Sequence, residues 1–394
     1  MRRKIGKITV LLVLTAFLAM ILVNRQWIMA RVEETFFQER DKSGNVIVPE
    51  ALQEGLSGFA YDQVSEEQKL IYGQILGGLQ QYKDSFYVTA AESFDVQEAF
   101  FAVLTDHPEL FWVDGVASFS AKESSQNWNV KTTFNMAAGD IPTVKARIEA
   151  VCEEFLQTIP ADASDYDKVK AAYEYVILNT DYSMDGVQNQ NIQSVFVTNI
   201  SVCAGYARAF QYLLTKMGIP CSYITGTVWR DGGVAEEHAW NCVEIDGAFY
   251  LVDATWGDPT YASGDELDDA AISYDYLCLT TEELSRSHTP SGSYTVPVCD
   301  SRKYDYYLLQ NKYYEGYDED TVSQALWDSV NNAEAATEMK FSDYDSYSAA
   351  KTAIFDEGGL IEAPARKKME WDGITNYEYR YIYNDELYIL KISW

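Results

Sequence analysis

Three residues have types and spacing suited to chemistry: Cys203, His238 and Asp253, in that chain order. A thiol nucleophile, an imidazole that moves its proton and a carboxylate that orients the imidazole together make a thiol acyl-transfer site. Cys203 lies in Ser201-Val202-Cys203-Ala204-Gly205-Tyr206-Ala207-Arg208-Ala209-Phe210, where a loop runs into an Ala-rich helical pattern. His238 lies in Glu237-His238-Ala239-Trp240-Asn241, at the start of a strand-like run. Asp253 lies in Leu251-Val252-Asp253-Ala254-Thr255-Trp256, near the end of the next such run.

The elements that must position these residues are legible nearby. Asp246-Gly247 separates the two strand-like runs and is a strong two-residue hairpin signal. With that turn, Ile245 faces Ala248, Trp240 faces Asp253 and His238 faces Thr255. His238 and Asp253 become diagonal neighbours on one face, roughly 7–8 Å apart at Cα, within reach of longer side chains. Ala204 to Met217 predicts a helix with Ala207, Phe210, Leu214 and Met217 on its buried side, stopped by Gly218 and Pro220. Cys203 then stands at the helix N-terminus, where unpaired N–H groups and the macrodipole favour a thiolate and a developing oxyanion.

The run Ser201 to Phe210, then Gly218-Ile219-Pro220, Glu237 to Asn241, Ile245-Asp246-Gly247 and Val252-Asp253-Ala254-Thr255-Trp256-Gly257-Asp258-Pro259 resembles the bacterial transglutaminase-like superfamily. That family is a circularly rearranged relative of papain-like cysteine proteases. The resemblance is dense from about Lys168 to Pro259, roughly a quarter of the chain. It implies an α+β fold with a papain-like core, nucleophile Cys203, base His238 and orienting Asp253. It leaves the reaction open, since members include peptidases, amide hydrolases, cross-linking enzymes and inactive scaffolds. In papain-like relatives a polar side chain upstream of the Cys helps bind the oxyanion. Gln193 is the candidate here, with a solvent-facing loop residue as the competing reading. Tyr206, Trp240 and Trp256 are candidate substrate-cleft residues, the two Trp as walls beside the thiol, with Glu236, Glu237, Asp231 and Asp258 making an acidic rim.

Composition bounds the rest. The chain has 394 residues, 47% hydrophobic, with 30 basic and 60 acidic side chains and a formal charge of −30. Nucleic acid is excluded as a partner, because no basic stripe exists outside the extreme N-terminus. With three His and no HExxH pattern, no zinc site is expected, and no cofactor is implied. The acidic run Asp265-Glu266-Leu267-Asp268-Asp269 lacks EF-hand spacing and reads as a solvated loop. Of the remaining cysteines, Cys152, Cys221, Cys242, Cys278 and Cys299, the pair Cys221 and Cys242 falls in strand-like segments of one domain, and buried free thiols are the expectation.

Arg2, Arg3, Lys4 and Lys7 precede an apolar run from Ile8 to Val23. Its length fits a signal h-region; extended to Met29, with Trp27 and Arg31 at the interface, it reads as an uncleaved anchor. Either way the catalytic part is exported: a single-pass cell-membrane protein facing outward, or a secreted one. The division expected is 1–30 anchor or signal segment, 31–63 tether, 64–140 N-terminal α+β region, 141–298 transglutaminase-like catalytic domain and 299–394 C-terminal α+β domain.

In the flanks, Ser65 starts a helix carrying Leu70, Ile71, Ile75 and Leu79, and Asp95 to Leu104 forms another. Asp106-His107-Pro108 is a turn, followed by a strand through Leu110-Phe111-Trp112, and Asn127 to Met136 is a strand. Pro142 to Ile159 and Asp165 to Asn179 are helices. Thr321 to Met339 and Ser346 to Asp356 read as helices, and Tyr377 to Tyr383 with Leu387 to Ser393 as a hairpin around Asn384-Asp385. The functional expectation is an exported cysteine-dependent enzyme acting on peptide or amide bonds, ending in hydrolysis. Cross-linking and an inactive cell-surface module that binds peptide or wall polymer are the alternatives. The expected partners are a peptide or protein substrate, cell-wall peptide among them, and the membrane.

Overall fold

The computed structural model describes residues 56–121, 126–229, 233–258, 272–374 and 379–394. The N-terminal segment 1–30, most of the tether, Asp231, Pro259, the acidic run at 265–269 and Tyr377 lie outside the described residues. Among the described residues no helix is long and apolar enough to cross a membrane. The fold is α+β, and its contacts divide it into two compact units.

The first unit comprises, among the described residues, Leu56, Val64–Val103 and Asp114–Phe134. Helix α1 (Glu66–Gln80) starts at Ser65, whose hydroxyl accepts the Gln68 N–H while the Gln68 side chain accepts the Ser65 N–H. Its apolar stripe buries Ile71, Ile75, Leu76 and Leu79, and Tyr72 with them; Leu70 stays half exposed. Helix α2 (Ser93–Asp106) follows strand β1 (Ser85–Thr89). With β2 (Val113–Ala121) and β3 (Asn127–Phe134) the sheet runs β1-β3-β2.

The second unit comprises Ser57–Gln63, Leu104–Val113 and the described part of Asn135–Trp394. Leu110, Phe111 and Trp112 are deeply buried but are not a strand. Two successive turns occupy that stretch, with Leu110 N–H on the His107 carbonyl and Val113 N–H on the Leu110 carbonyl. His107 pairs through Nδ1 with Glu109 at 2.7 Å within this turn.

Helices α3 (Ile141–Thr158) and α4 (Asp165–Leu178) come next. The two-residue strands β4 (Asp181–Tyr182) and β5 (Ile200–Ser201) pair in parallel and lead into α5 (Cys203–Lys216). The central sheet has the order β8-β7-β6-β9, from β6 (Cys221–Val228), β7 (Glu236–Ile245), β8 (Ala248–Val252) and β9 (His288–Pro290). Asp246 and Gly247 both have positive φ, 52° and 75°, as the tight β7–β8 turn requires. The register follows, from Ile245 opposite Ala248 to Asn241 opposite Val252.

The chain continues through α6 (Thr281–Leu284), α7 (Tyr306–Leu309), β10 (Tyr313–Tyr314), α8 (Glu319–Asn331), β11 (Ala336–Phe341), α9 (Tyr344–Phe355), α10 (Glu362–Asp372), β12 (Arg380–Asn384) and β13 (Ile389–Ser393). The second sheet runs β10-β11-β13-β12. The helix expected over 321–339 ends at Asn331, Ala333 takes a positive φ of 56°, and Met339 belongs to strand β11. The C-terminal hairpin turns through Asp385 to Tyr388, since Asn384 faces Ile389. Leu387 and Ile389 pack in one core cluster with Trp240, Trp256 and Tyr276, so this hairpin covers the back of the central sheet.

Candidate active site

Helix α5 is laid against β7 by small residues. Ala207 and Ala239 pack with Tyr223, and Cys203 and Ala204 border that cluster. Asn241 ties the two elements, donating through Nδ2 to the Ala207 carbonyl at 3.0 Å and to the Ser222 carbonyl at 3.2 Å. Arg208 donates to the Leu104 carbonyl at 2.6 Å and lies over the Tyr223 ring. Cys203 is the first residue of α5 and is half-buried. Its preceding residue Val202 offers no side-chain cap, and the Gly205 and Tyr206 amides bond to the Val202 carbonyl, so Cys203 and Ala204 are the helix-start amides that could serve a ligand.

His238 and Asp253 meet. His238 Nε2 lies 2.7 Å from Asp253 Oδ2, with both side chains almost wholly out of water. Asp253 follows the last residue of β8, Val252, and turns the chain, so its Oδ1 accepts the N–H groups of Thr255 at 2.9 Å and Trp256 at 3.1 Å. Cys203 is near enough to His238 to act on its protonation. With Nε2 committed to Asp253, Nδ1 is the ring nitrogen left for the sulfur. Burial alone would lower the basicity of His238, but Asp253, and then Cys203, hold its pKa up at about 9. Burial alone would raise the Asp253 carboxyl, yet His238 and His288 hold it well below the usual carboxylate range.

The other expected site residues stand elsewhere. Tyr206, Trp240 and Trp256 are core side chains and not cleft walls. The Tyr206 hydroxyl sits between the Thr180 carbonyl at 2.8 Å and Asp258 Oδ2 at 2.7 Å, so Asp258 is also interior and no part of a rim. Trp240 and Trp256 turn inward against the histidines. Gln193 precedes a π-helical turn over Ser194–Thr198, with its Oε1 buried and lacking a hydrogen-bond partner among the described residues. Cys242 is not beside Cys221: it faces Ser222 across the ladder, and its Sγ lies 3.9 Å from Cys299 Sγ.

His288, unremarked in the sequence, joins the site. Its Nε2 lies 3.0 Å from the same Asp253 Oδ2. His238, Asp253 and His288 thus offer three donor atoms within 4.8 Å of one another, a spacing a transition metal could span. In this arrangement those atoms already pair with each other, so the cluster is satisfied without an ion.

The family model described as "Transglutaminase-like superfamily" matches residues 153–254, a stretch that contains Cys203, His238 and Asp253. The chain carries a transglutaminase-like domain. Kyphoscoliosis peptidase of Mus musculus is 28% identical over 127 residues, 29% of this chain and 19% of that protein. The Homo sapiens kyphoscoliosis peptidase is 27% identical over the same length, again 19% of its chain. The matched stretch therefore spans about a fifth of these relatives' length. Among solved structures, a TGase aligns with 48% of this chain and 53% of its own at 14% identity and a TM-score of 0.26. The periplasmic domain of TgpA from Pseudomonas aeruginosa aligns with 33% of this chain and 54% of its own at 19% identity and a TM-score of 0.22. His288 lies beyond the end of the matched transglutaminase-like stretch.

Proposed function

We propose that this protein is a cysteine-dependent acyl-transfer enzyme that cleaves peptide or amide bonds through Cys203, His238 and Asp253. The observation that carries this reading is the 2.7 Å His238–Asp253 bond, with the half-buried Cys203 at a helix start close to the same imidazole. The peptidase name of the curated relatives agrees with a peptide substrate.

The Cys203 thiolate attacks the carbonyl carbon, forming a C–S bond. The oxyanion is received by the backbone amide of Cys203 at the start of α5, with Gln193 as a candidate second donor. Collapse breaks the C–N bond, and His238 gives its proton to the departing amine. The neutral His238 then takes a proton from water as it attacks the thioester, and Cys203 leaves as thiolate. Asp253 keeps Nε2 protonated and Nδ1 facing the sulfur throughout.

Hydrolysis is the favoured outcome, because Glu236 and Glu237 beside His238 are exposed and make that approach wet. The same acidic approach would attract a lysine amine, which keeps cross-linking as the second reading. Residues Arg2, Arg3, Lys4 and Lys7 before an apolar run support an exported, membrane-anchored enzyme, with cell-surface peptide within reach. Incubation with a glutamine-containing peptide and millimolar amine tests the reaction. Released acid or cleaved peptide that depends on Cys203 is expected. Amine adducts in large excess would replace hydrolysis with cross-linking.

A further inference from the structure

We infer that His288 is a positioning residue of this site: it donates its Nε2–H to the same Asp253 oxygen that His238 uses, and thereby fixes where the carboxylate points. Its catalytic consequence rests on the triad proposed above.

The Asp253 carboxylate is fully subscribed. Oδ2 faces the Nε2 atoms of His238 at 2.7 Å and His288 at 3.0 Å. Oδ1 accepts two backbone N–H groups, from Thr255 and Trp256. An ionised carboxylate only accepts, so both ring nitrogens at Oδ2 must carry hydrogen. His288 is therefore protonated at Nε2. Its Nδ1 lies 2.8 Å from Ser287 Oγ, whose hydroxyl can donate to it and select that tautomer.

The fold goes to some length to hold this ring. His238 on β7 faces Gly226 on β6, and His288 on β9 faces Val228 two residues on, so both imidazoles lie on one face of the sheet. A side chain at Gly226 would stand 2.1 Å from the Thr289 carbonyl and 2.7 Å from Trp240 Cη2. Only glycine lets β9 approach that closely. The His288 ring is then enclosed edge-to-face by Trp240 at 5.1 Å and Trp256 at 4.6 Å, and the residue is 2% exposed. In so dry a pocket, a carboxylate that lost one of four donors would turn to recover it, and His238 would lose its aim. The titratable groups around Asp253 are His238, His288, Cys203 beyond His238, and Tyr173 and Tyr276, both of which burial keeps protonated.

The test compares His288→Phe, which keeps a flat ring without a donor, with His288→Gln, which restores an N–H. The readouts, on the full chain, are the rate of Cys203 alkylation and the pH at which substrate turnover falls on the alkaline side. His288→Phe should slow alkylation by about tenfold and move the alkaline limb downward, and His288→Gln should recover most of both. Ser287→Ala leaves the ring in place but frees its tautomer; a smaller shift in the same direction is expected, which keeps the test open if His288→Phe does not fold. A folded His288→Phe with an unmoved limb, or an unmoved limb in Ser287→Ala with equal behaviour of the Phe and Gln variants, overturns the inference. Asp253→Asn run in parallel separates the two levels. If Asp253→Asn moves the limb and His288→Phe does not, His288 alone has been misassigned. If Asp253→Asn moves nothing, the triad itself is wrong.

Discussion

Lys340 Nζ stands 2.6 Å from Asp305 Oδ2 with both side chains almost wholly out of water. Glu283 completes the cluster at 2.9 Å. Lys340 is on β11, Asp305 caps α7 and Glu283 lies in α6, so one buried cation ties the second sheet to the segments that follow the central one. Lys340→Met should cost about 3–5 kcal/mol, because it leaves Asp305 without its lysine and Glu283 with only the part-exposed Arg302, 3.8 Å away, in the interior. Urea denaturation of wild type and variant measures it; a loss below about 1 kcal/mol would show that water reaches the cluster.

The same cluster sets an acid limit. Burial alone would raise the Glu283 carboxyl, but Lys340, with support from Thr280, lowers it to about 2. A depressed carboxyl contributes stability above its ordinary value of 4.5 and loses it as pH falls toward the folded value. The stability gap between wild type and Lys340→Met should therefore be full at neutral pH and shrink below about pH 4. A gap that stays constant down to pH 2 contradicts the assignment of Glu283.

Gly226→Ala tests how closely β9 packs on β6 without changing any charge. Its new methyl group would push β9 off β6 and displace His288, costing about 1–3 kcal/mol as an overpacked core does. Thermal unfolding should show the loss, and Cys203 alkylation should slow with it. An unchanged melting temperature would mean that β9 is not held as closely as the Thr289 contact indicates.

How much of this was legible in the sequence depended on how local each contact is. Asp246-Gly247 could take only a tight hairpin, so the pairing from Ile245–Ala248 to Asn241–Val252, and with it the approach of His238 to Asp253, followed from spacing. The last step differs, since β8 stops at Val252 and Asp253 reaches His238 from a turn that its own Oδ1 stabilises. His288 gave no signal because it sits in Ser285-Arg286-Ser287-His288-Thr289-Pro290, a polar stretch ending in proline, on a strand of only three residues. Tyr206, Trp240 and Trp256 showed proximity to the nucleophile but not direction, and their rings turn inward. The helical pattern through Thr321 ran past its true end because Asn332-Ala333 stops it with a left-handed residue rather than a glycine.

Asp253→Asn should preserve the fold, since the side chain keeps its shape, while lowering turnover by roughly two or more orders of magnitude. Asp253 is the main group holding the His238 pKa up at about 9. Removing its charge should move the alkaline limb of turnover down from about 9 toward the ordinary histidine value of 6.5. A pH profile superimposable on wild type would separate Asp253 from the imidazole.

Protease added to intact, wall-stripped cells should digest the region after Ala30, as expected if Arg2, Arg3, Lys4 and Lys7 remain inside. Protection until lysis would put the enzyme in the cytoplasm and remove cell-surface peptide from its substrates.

The most direct measurement of the central claim is the order in which the six thiols react with iodoacetamide near neutral pH. Cys203 is half-buried at a helix start with His238 beside it, whereas Cys152, Cys242, Cys278 and Cys299 are buried. Burial pushes the Cys152 thiol up to about 12, and Cys221, the other half-buried cysteine, is also pushed up by burial. Cys203 should be alkylated first, with rapid loss of activity, and His238→Ala should bring its rate down to that of an ordinary exposed thiol. Labelling of Cys203 no faster than the others, or protection of Cys203 until the protein is denatured, would contradict a nucleophilic Cys203.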